Sequence, residues 1–157
     1  MSKEKKYKTT SPGETQEVAR EIVEGLLGKN RSNALVLALT GELGVGKTNL
    51  TQGVAEALGI RRIITSPTFV IMKRYDITRE SPDIFKKYNI KNFYHLDAYR
   101  LNTAEELKEL GWDEIISSPQ NFVAVEWAEK VRDIIPPCAV WVEFKTEGEK
   151  KREITVK

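Results

Sequence analysis

Residues 35–59, LVLALTGELGVGKTNLTQGVAEALG, run from an unbroken apolar segment through a glycine-rich turn carrying one lysine into a helix-like stretch. No other feature narrows the fold as much. Residues 34–40 (ALVLALT) lack any polar alternation, which is the pattern of a strand buried on both faces of a largely parallel sheet. A helix over 47–58 follows, stopped by Gly59. Gly41, Gly46, Lys47 and Thr48 satisfy G-x-x-x-x-G-K-[ST], the P-loop. Its glycines let backbone N–H groups converge on phosphate oxygens with no Cβ in the way, and the next helix adds the positive end of its dipole. In that chemistry Lys47 reaches the β- and γ-phosphates and the Thr48 hydroxyl ligates Mg²⁺. The strand before and the helix after distinguish this match from a glycine-rich turn with an incidental lysine.

The 157 residues, 40% hydrophobic and 31% charged, are enough for one core and too few for two comfortable ones. Lys and Arg number 25 against 23 Asp and Glu, and the resulting +2 neither demands nor excludes a nucleic-acid partner. The single cysteine, Cys138, leaves no intrachain disulfide to form. No apolar run approaches the roughly 20 residues of a bilayer span, so no membrane partner and a cytoplasmic location are expected.

The opening MSKEKKYKTT is basic with no apolar segment behind it, so residues 1–10 read as a flexible, frayed arm ahead of one domain over 11–157. Ser11, Pro12 and Glu14 have the spacing of an N-cap, a first helical position and a capping box. Val18, Ala19, Ile22, Val23, Leu26 and Leu27 then form a stripe that predicts a helix ending at Gly28. Further on, a loop around Pro67 leads to a predicted strand over 69–75. The polar, weakly patterned residues 76–92 read as a surface insertion. NFYHLD is a second strand, TAEELKELGWDEII one or two short helices capped by Thr103 with Glu106, and NFVAVEW a third buried strand. CAVWVEFKT and REITVK read as late, partly exposed strands joined by an EGEK hairpin turn.

A nucleotide-hydrolysing site also needs an acid at the end of a buried strand, and Asp97 and Glu126 both qualify. His95 lies on the same side of its strand as Asp97, where a histidine by itself reads as packing. Thr65, Ser66 and Thr68 around Pro67 form either a plain turn or a switch-like loop whose hydroxyls sense the γ-phosphate. Trp127, beside Glu126, reads as core before it reads as a base-stacking platform.

TGELGVGKT, TSPTFVIMKRY, YHLDAYRL, LGWDEI and VAVEWAEKV occur in an order and spacing that resembles the TsaE (YjeE) family, the small P-loop ATPases of threonylcarbamoyladenosine synthesis in tRNA. The likeness spans nearly all of residues 11–156, and S-P-T-F and H-x-D-x-Y-R-L are its most specific parts. It implies an α/β P-loop NTPase fold, a mostly parallel central sheet flanked by helices in a single domain. Carried over by position, it implies that Gly41, Gly44, Val45, Gly46, Lys47, Thr48 and Asn49 hold ATP, with Thr15 and Arg152 near the nucleotide. Thr48 and Glu126 would ligate Mg²⁺, and Asp97 would serve hydrolysis together with Lys47 and Thr68. The implied partners are TsaD and TsaB, whose complex this protein would reset with ATP between rounds of threonylcarbamoyl transfer to the adenosine adjacent to the anticodon. Contact with tRNA would be indirect. Asn49 stands where the family often has threonine, Ala98 where leucine is common, and 76–92 is longer than the usual connection.

The alternative is a small-molecule P-loop kinase, but 76–92 offers only Arg79, Lys86 and Lys87 and no arginine-rich lid pattern. A signalling GTPase would carry N-K-x-D, and the chain has none. The lysines of residues 3–8 and the basic residues of 145–152 read as solvated ends before they read as an RNA surface.

Overall fold

The computed structural model describes residues 3–42, 44–67 and 69–157. Its centre is a seven-stranded sheet ordered β1-β7-β6-β2-β5-β4-β3, where β1 is Lys5–Thr9, β2 Leu35–Thr40, β3 Met72–Asp76, β4 Asn92–Asp97, β5 Asn121–Glu126, β6 Val140–Thr146 and β7 Arg152–Val156. β6, β2, β5 and β4 run parallel. β3 closes one edge antiparallel to β4, while β7 and β1 extend the other edge as an antiparallel ribbon.

The unbroken apolar run of β2 has the expected cause, because alternate residues serve two cores. Leu35, Leu37 and Leu39 pack with α1 (Pro12–Leu27) and α2 (Lys47–Ala57), joined by Phe122 and Ala124 of β5. Val36 and Ala38 face the other way with Val123 and Val125, toward α5 (Ala104–Glu109), α6 (Trp112–Ser117) and the 3₁₀ segment Ala128–Ile134. α1 and α2 cross closely because of Gly53. A Cβ at that residue would lie 2.8 Å from the Ala19 Cβ and from the Gln16 Cα.

The Ser11 hydroxyl accepts from the Glu14 N–H at 3.2 Å, as its spacing predicts. Glu14 reaches back past the cap, accepting the Thr10 N–H at 2.6 Å. The capping box of Thr103 with Glu106 is present.

The frayed arm expected over 1–10 is corrected: Lys5–Thr9 is a sheet strand, paired with β7 from Lys5↔Val156 to Thr9↔Arg152. Its lysines concealed this, because an edge strand tolerates charge on side chains that meet solvent. The strand expected over 69–75 is shifted. The Pro67 carbonyl accepts from Val70 and Ile71, and Ile71 has φ of 67°, so Phe69 and Val70 lie in an exposed turn and pairing begins at Met72. Residues 76–92 hold two short helices, α3 (Ile77–Glu80) and α4 (Pro82–Tyr88), pinned by fully buried Ile77 and Ile90. Among the described residues no helix is long and apolar enough to cross a membrane.

Candidate functional site

The C-terminal ends of β2, β4 and β5 meet the start of α2, and the charged residues predicted from sequence collect there. Gly41, Gly44 and Gly46 have φ of 144°, 78° and 107°, values that a side chain would resist. Gly46 is the N-cap of α2, whose first N–H groups have no partner within the helix. At Gly41 a Cβ would also press within 3.1 Å of the Phe144 carbonyl.

Lys47 is 5% exposed. Its ammonium donates to the Gly41 carbonyl and, at 2.9 Å, to that of Glu42, and it lies 3.9 Å from the centre of the Trp127 ring. Burial lowers its pKa, opposed by the negative charges of Glu129, Glu126 and Asp97. A buried cation held on loop carbonyls and an aromatic face would gain from an incoming polyanion.

Register places Asp97 beside Glu126 on neighbouring parallel strands. Both are buried, and their surroundings differ. Glu126 accepts from the Thr48 hydroxyl through Oε1 at 2.7 Å and meets His95 Nε2 through Oε2 at 2.5 Å. Asp97 accepts the Ser66 hydroxyl at 2.8 Å and the Tyr99 N–H at 2.9 Å. One acid is therefore tied to α2 and the other to the loop before β3. His95 is fully buried, and its Nδ1 has no hydrogen-bond partner among the described residues. A buried polar atom without a partner costs about 1–3 kcal/mol.

The remaining predicted residues line the adjoining cleft of about 650 Å³, where Thr15 and Arg152 share a wall system with Gly44, Val45, Gly46 and Asn49. Thr15 shares a 3.0 Å hydrogen bond with Thr9 of β1. Arg152 donates to the carbonyls of its own hairpin, including that of Lys151 at 3.0 Å. Asn49 donates to the Pro12 carbonyl at 3.0 Å and accepts from Gln16 at 2.9 Å, binding the loop's helix to the start of α1. A second cleft of about 470 Å³ is bordered by Lys47, Thr48, Ser66, Asp97, Glu126 and Trp127, and the two clefts share Gly44, Gly46 and Asn49. The remaining predicted residue, Thr68, lies outside the described residues.

Three features were not legible beforehand. Trp127, read as core, is half-buried at the mouth of the site with a left-handed φ of 58°, and its ring meets that of Tyr99 at 4.9 Å. Gln16 carried no motif. The charge of Glu129 acts on Lys47 from the segment after Trp127, which shows no periodic signal.

The donor set suits Mg²⁺ carried with a nucleotide. Among the described residues no three His, Cys, Asp or Glu side chains are grouped to hold an ion. Mg²⁺ usually takes one or two protein ligands together with phosphates and water, a number that Thr48 and a single carboxylate can supply.

The family model described as threonylcarbamoyl adenosine biosynthesis protein TsaE matches residues 9–154. A Bacillus subtilis protein named tRNA threonylcarbamoyladenosine biosynthesis protein TsaE is 36% identical over 153 residues, spanning 98% of this chain and 85% of the relative. A Streptomyces coelicolor protein of the same name is 38% identical over 117 residues, covering 73% of this chain and 71% of its own length. The crystal structure of Bacillus subtilis YdiB superposes with a TM-score of 0.73 at 33% identity, over 99% of this chain and 86% of that one.

Proposed function

We propose that this chain, which belongs to the TsaE family of threonylcarbamoyl adenosine biosynthesis proteins, is a Mg²⁺-dependent ATPase that resets a TsaD–TsaB complex between rounds of threonylcarbamoyl transfer to tRNA adenosine, in the cytoplasm. One observation carries the reading. The P-loop, the Thr48–Glu126 bond and the Asp97 carboxylate converge on a single cleft.

Each residue's part follows from its partners. The backbone donors of residues 44–48 and the Lys47 ammonium would hold the β- and γ-phosphates. Lys47 would leave the carbonyls of Gly41 and Glu42 to do so. Thr48 commits its proton to Glu126, so its oxygen lone pairs stay available as a Mg²⁺ ligand. Glu126 would then orient that ligand or hold a metal-bound water. When bound, Mg²⁺ supplies charge neutralisation on the phosphates. Asp97, held by Ser66 and Tyr99, is the carboxylate left to orient water and take its proton. Thr15, Asn49 and Arg152 would flank the rest of the nucleotide along the larger cleft.

The coupling to partners is supported by the loop that supplies Ser66. Ile63 is 91% exposed, Phe69 83% and Val70 58%, apolar side chains that flank Ser66 along the chain. A loop that holds Asp97 and also offers apolar side chains can transmit the state of the site to another protein. The test is phosphate release from ATP with no added acceptor, with and without TsaD–TsaB. Release that is slow alone and faster with the partners supports the reading. ADP formation only when a small-molecule acceptor is added, with the γ-phosphate recovered on that acceptor, would make the chain a kinase.

A further inference from the structure

We propose that His95 is a positioning residue for the metal side of the site. Held as its Nε2–H tautomer, it fixes the Glu126 carboxylate so that Thr48 turns its lone pairs toward the cation. The inference rests on the Mg²⁺·ATP reading for the identity of the cation. The contacts of Glu126 with Thr48 and His95 do not depend on that reading.

The ring's polar contact is with Glu126 Oε2, while Oε1 takes the Thr48 hydroxyl. A carboxylate that receives Thr48 as a donor on one oxygen and is ionised accepts on the other as well, so the proton at Oε2 belongs to the imidazole. In a neutral ring that tautomer has a bare Nδ1, the atom that has no partner among the described residues. Packing alone does not select such a residue, because an apolar ring would fill the same space without an unpaired nitrogen. The backbone makes the reach possible. His95 lies opposite Ala124 in the β4–β5 register, and alanine leaves room on the shared face for the ring to extend toward Glu126. Phe93 stacks beside it, centroids 6.5 Å apart and planes inclined by 19°. Asp97, on the same face of β4, is bound instead by Ser66 and the Tyr99 N–H. His95 therefore acts on one acid of the pair.

The chain has one histidine, so its ring nitrogens give unambiguous ¹⁵N resonances. The full-length protein alone should show a protonated Nε2 and a bare Nδ1, and the tautomer should persist on adding Mg²⁺·ADP. A protonated Nδ1, whether or not Nε2 also carries a proton, would overturn the proposal. The second arm measures ATP affinity calorimetrically in EDTA and in Mg²⁺ for wild type, His95→Phe and His95→Gln, with folding checked by thermal unfolding. All should bind metal-free ATP equally. His95→Phe should lose about ten-fold or more of the gain that Mg²⁺ confers, and His95→Gln, whose amide can donate where Nε2–H does, should recover most of it. An undiminished Mg²⁺ gain in His95→Phe, or no recovery in a folded His95→Gln, would refute the role. If His95→Phe does not fold, His95→Asn replaces it, its amide being too short to reach Oε2. Absence of ATP binding by the wild type would overturn the functional reading, while the tautomer would still decide whether His95 holds Glu126.

Discussion

The two halves of the sheet treat charge in opposite ways. In the antiparallel ribbon, ions pair at the surface: Lys6 with Glu153 at 3.7 Å, Lys8 with Glu147 at 3.6 Å, Lys157 with Glu143 at 3.0 Å. At the ends of the central parallel strands, Lys47, His95, Asp97 and Glu126 are all buried. Solvated pairs cost little to form and contribute little. Buried ionisable groups carry a desolvation cost that folding alone does not explain, so their concentration at one edge of the sheet marks that edge as functional. On the first strand Lys5, Lys6 and Lys8 are paired with Glu21, Glu153 and Glu147.

Removing the buried cation should test the contrast hardest. Lys47→Ala should weaken ATP binding by on the order of 10- to 100-fold, the worth of a charged hydrogen bond, measured by calorimetry. Lys47→Met should lose binding likewise, yet unfold no more easily than wild type. Burial depresses the Lys47 pKa below its ordinary 10.5, so the folded wild type bears a cost at every pH below the depressed value. That cost fades as pH rises toward 10.5, and any stability advantage of Lys47→Met should shrink over the same interval. An advantage that widens with alkalinity would contradict the assignment.

The two acids should separate next. Glu126→Gln should raise the Mg²⁺ concentration needed for nucleotide binding by about 10-fold or more, while Asp97→Asn should abolish turnover and leave binding intact. Metal titrations on both variants decide this, and a wild-type Mg²⁺ dependence in Glu126→Gln would remove it from the metal side. Gly53→Ala should cost about 1–3 kcal/mol by forcing α1 from α2, read by denaturant unfolding. Lys157→Ala, in the ribbon, should shift stability by no more than about 0.5 kcal/mol. A loss there equal to that of Gly53→Ala would erase the distinction between the halves.

Much of the central half was legible because its chemistry is local. A G-x-x-x-x-G-K-T motif between an apolar strand and a helix specifies its own geometry, and Asp97 and Glu126 each terminate an apolar run. What was hidden depends on residues distant in sequence. The strand character of Lys5–Thr9 exists only because β7 offers an edge to pair with. The His95–Glu126 bond needs the β4–β5 register, which no spacing within either strand encodes. Trp127 adopts a left-handed backbone that its residue type argues against, and only the assembled cleft with Lys47 on its ring explains the position.

The central claim is that ATP hydrolysis in this cleft serves a partner's repeated turnover. The direct measurement is multiple-turnover tRNA threonylcarbamoylation by TsaD–TsaB, with this protein and ATP, with Lys47→Ala and ATP, and with a non-hydrolysable ATP analogue. The account predicts repeated turnover with the wild type and ATP only, with phosphate release rising in parallel and the other two arms stalling after about one round. Sustained turnover with Lys47→Ala or with the analogue would contradict it.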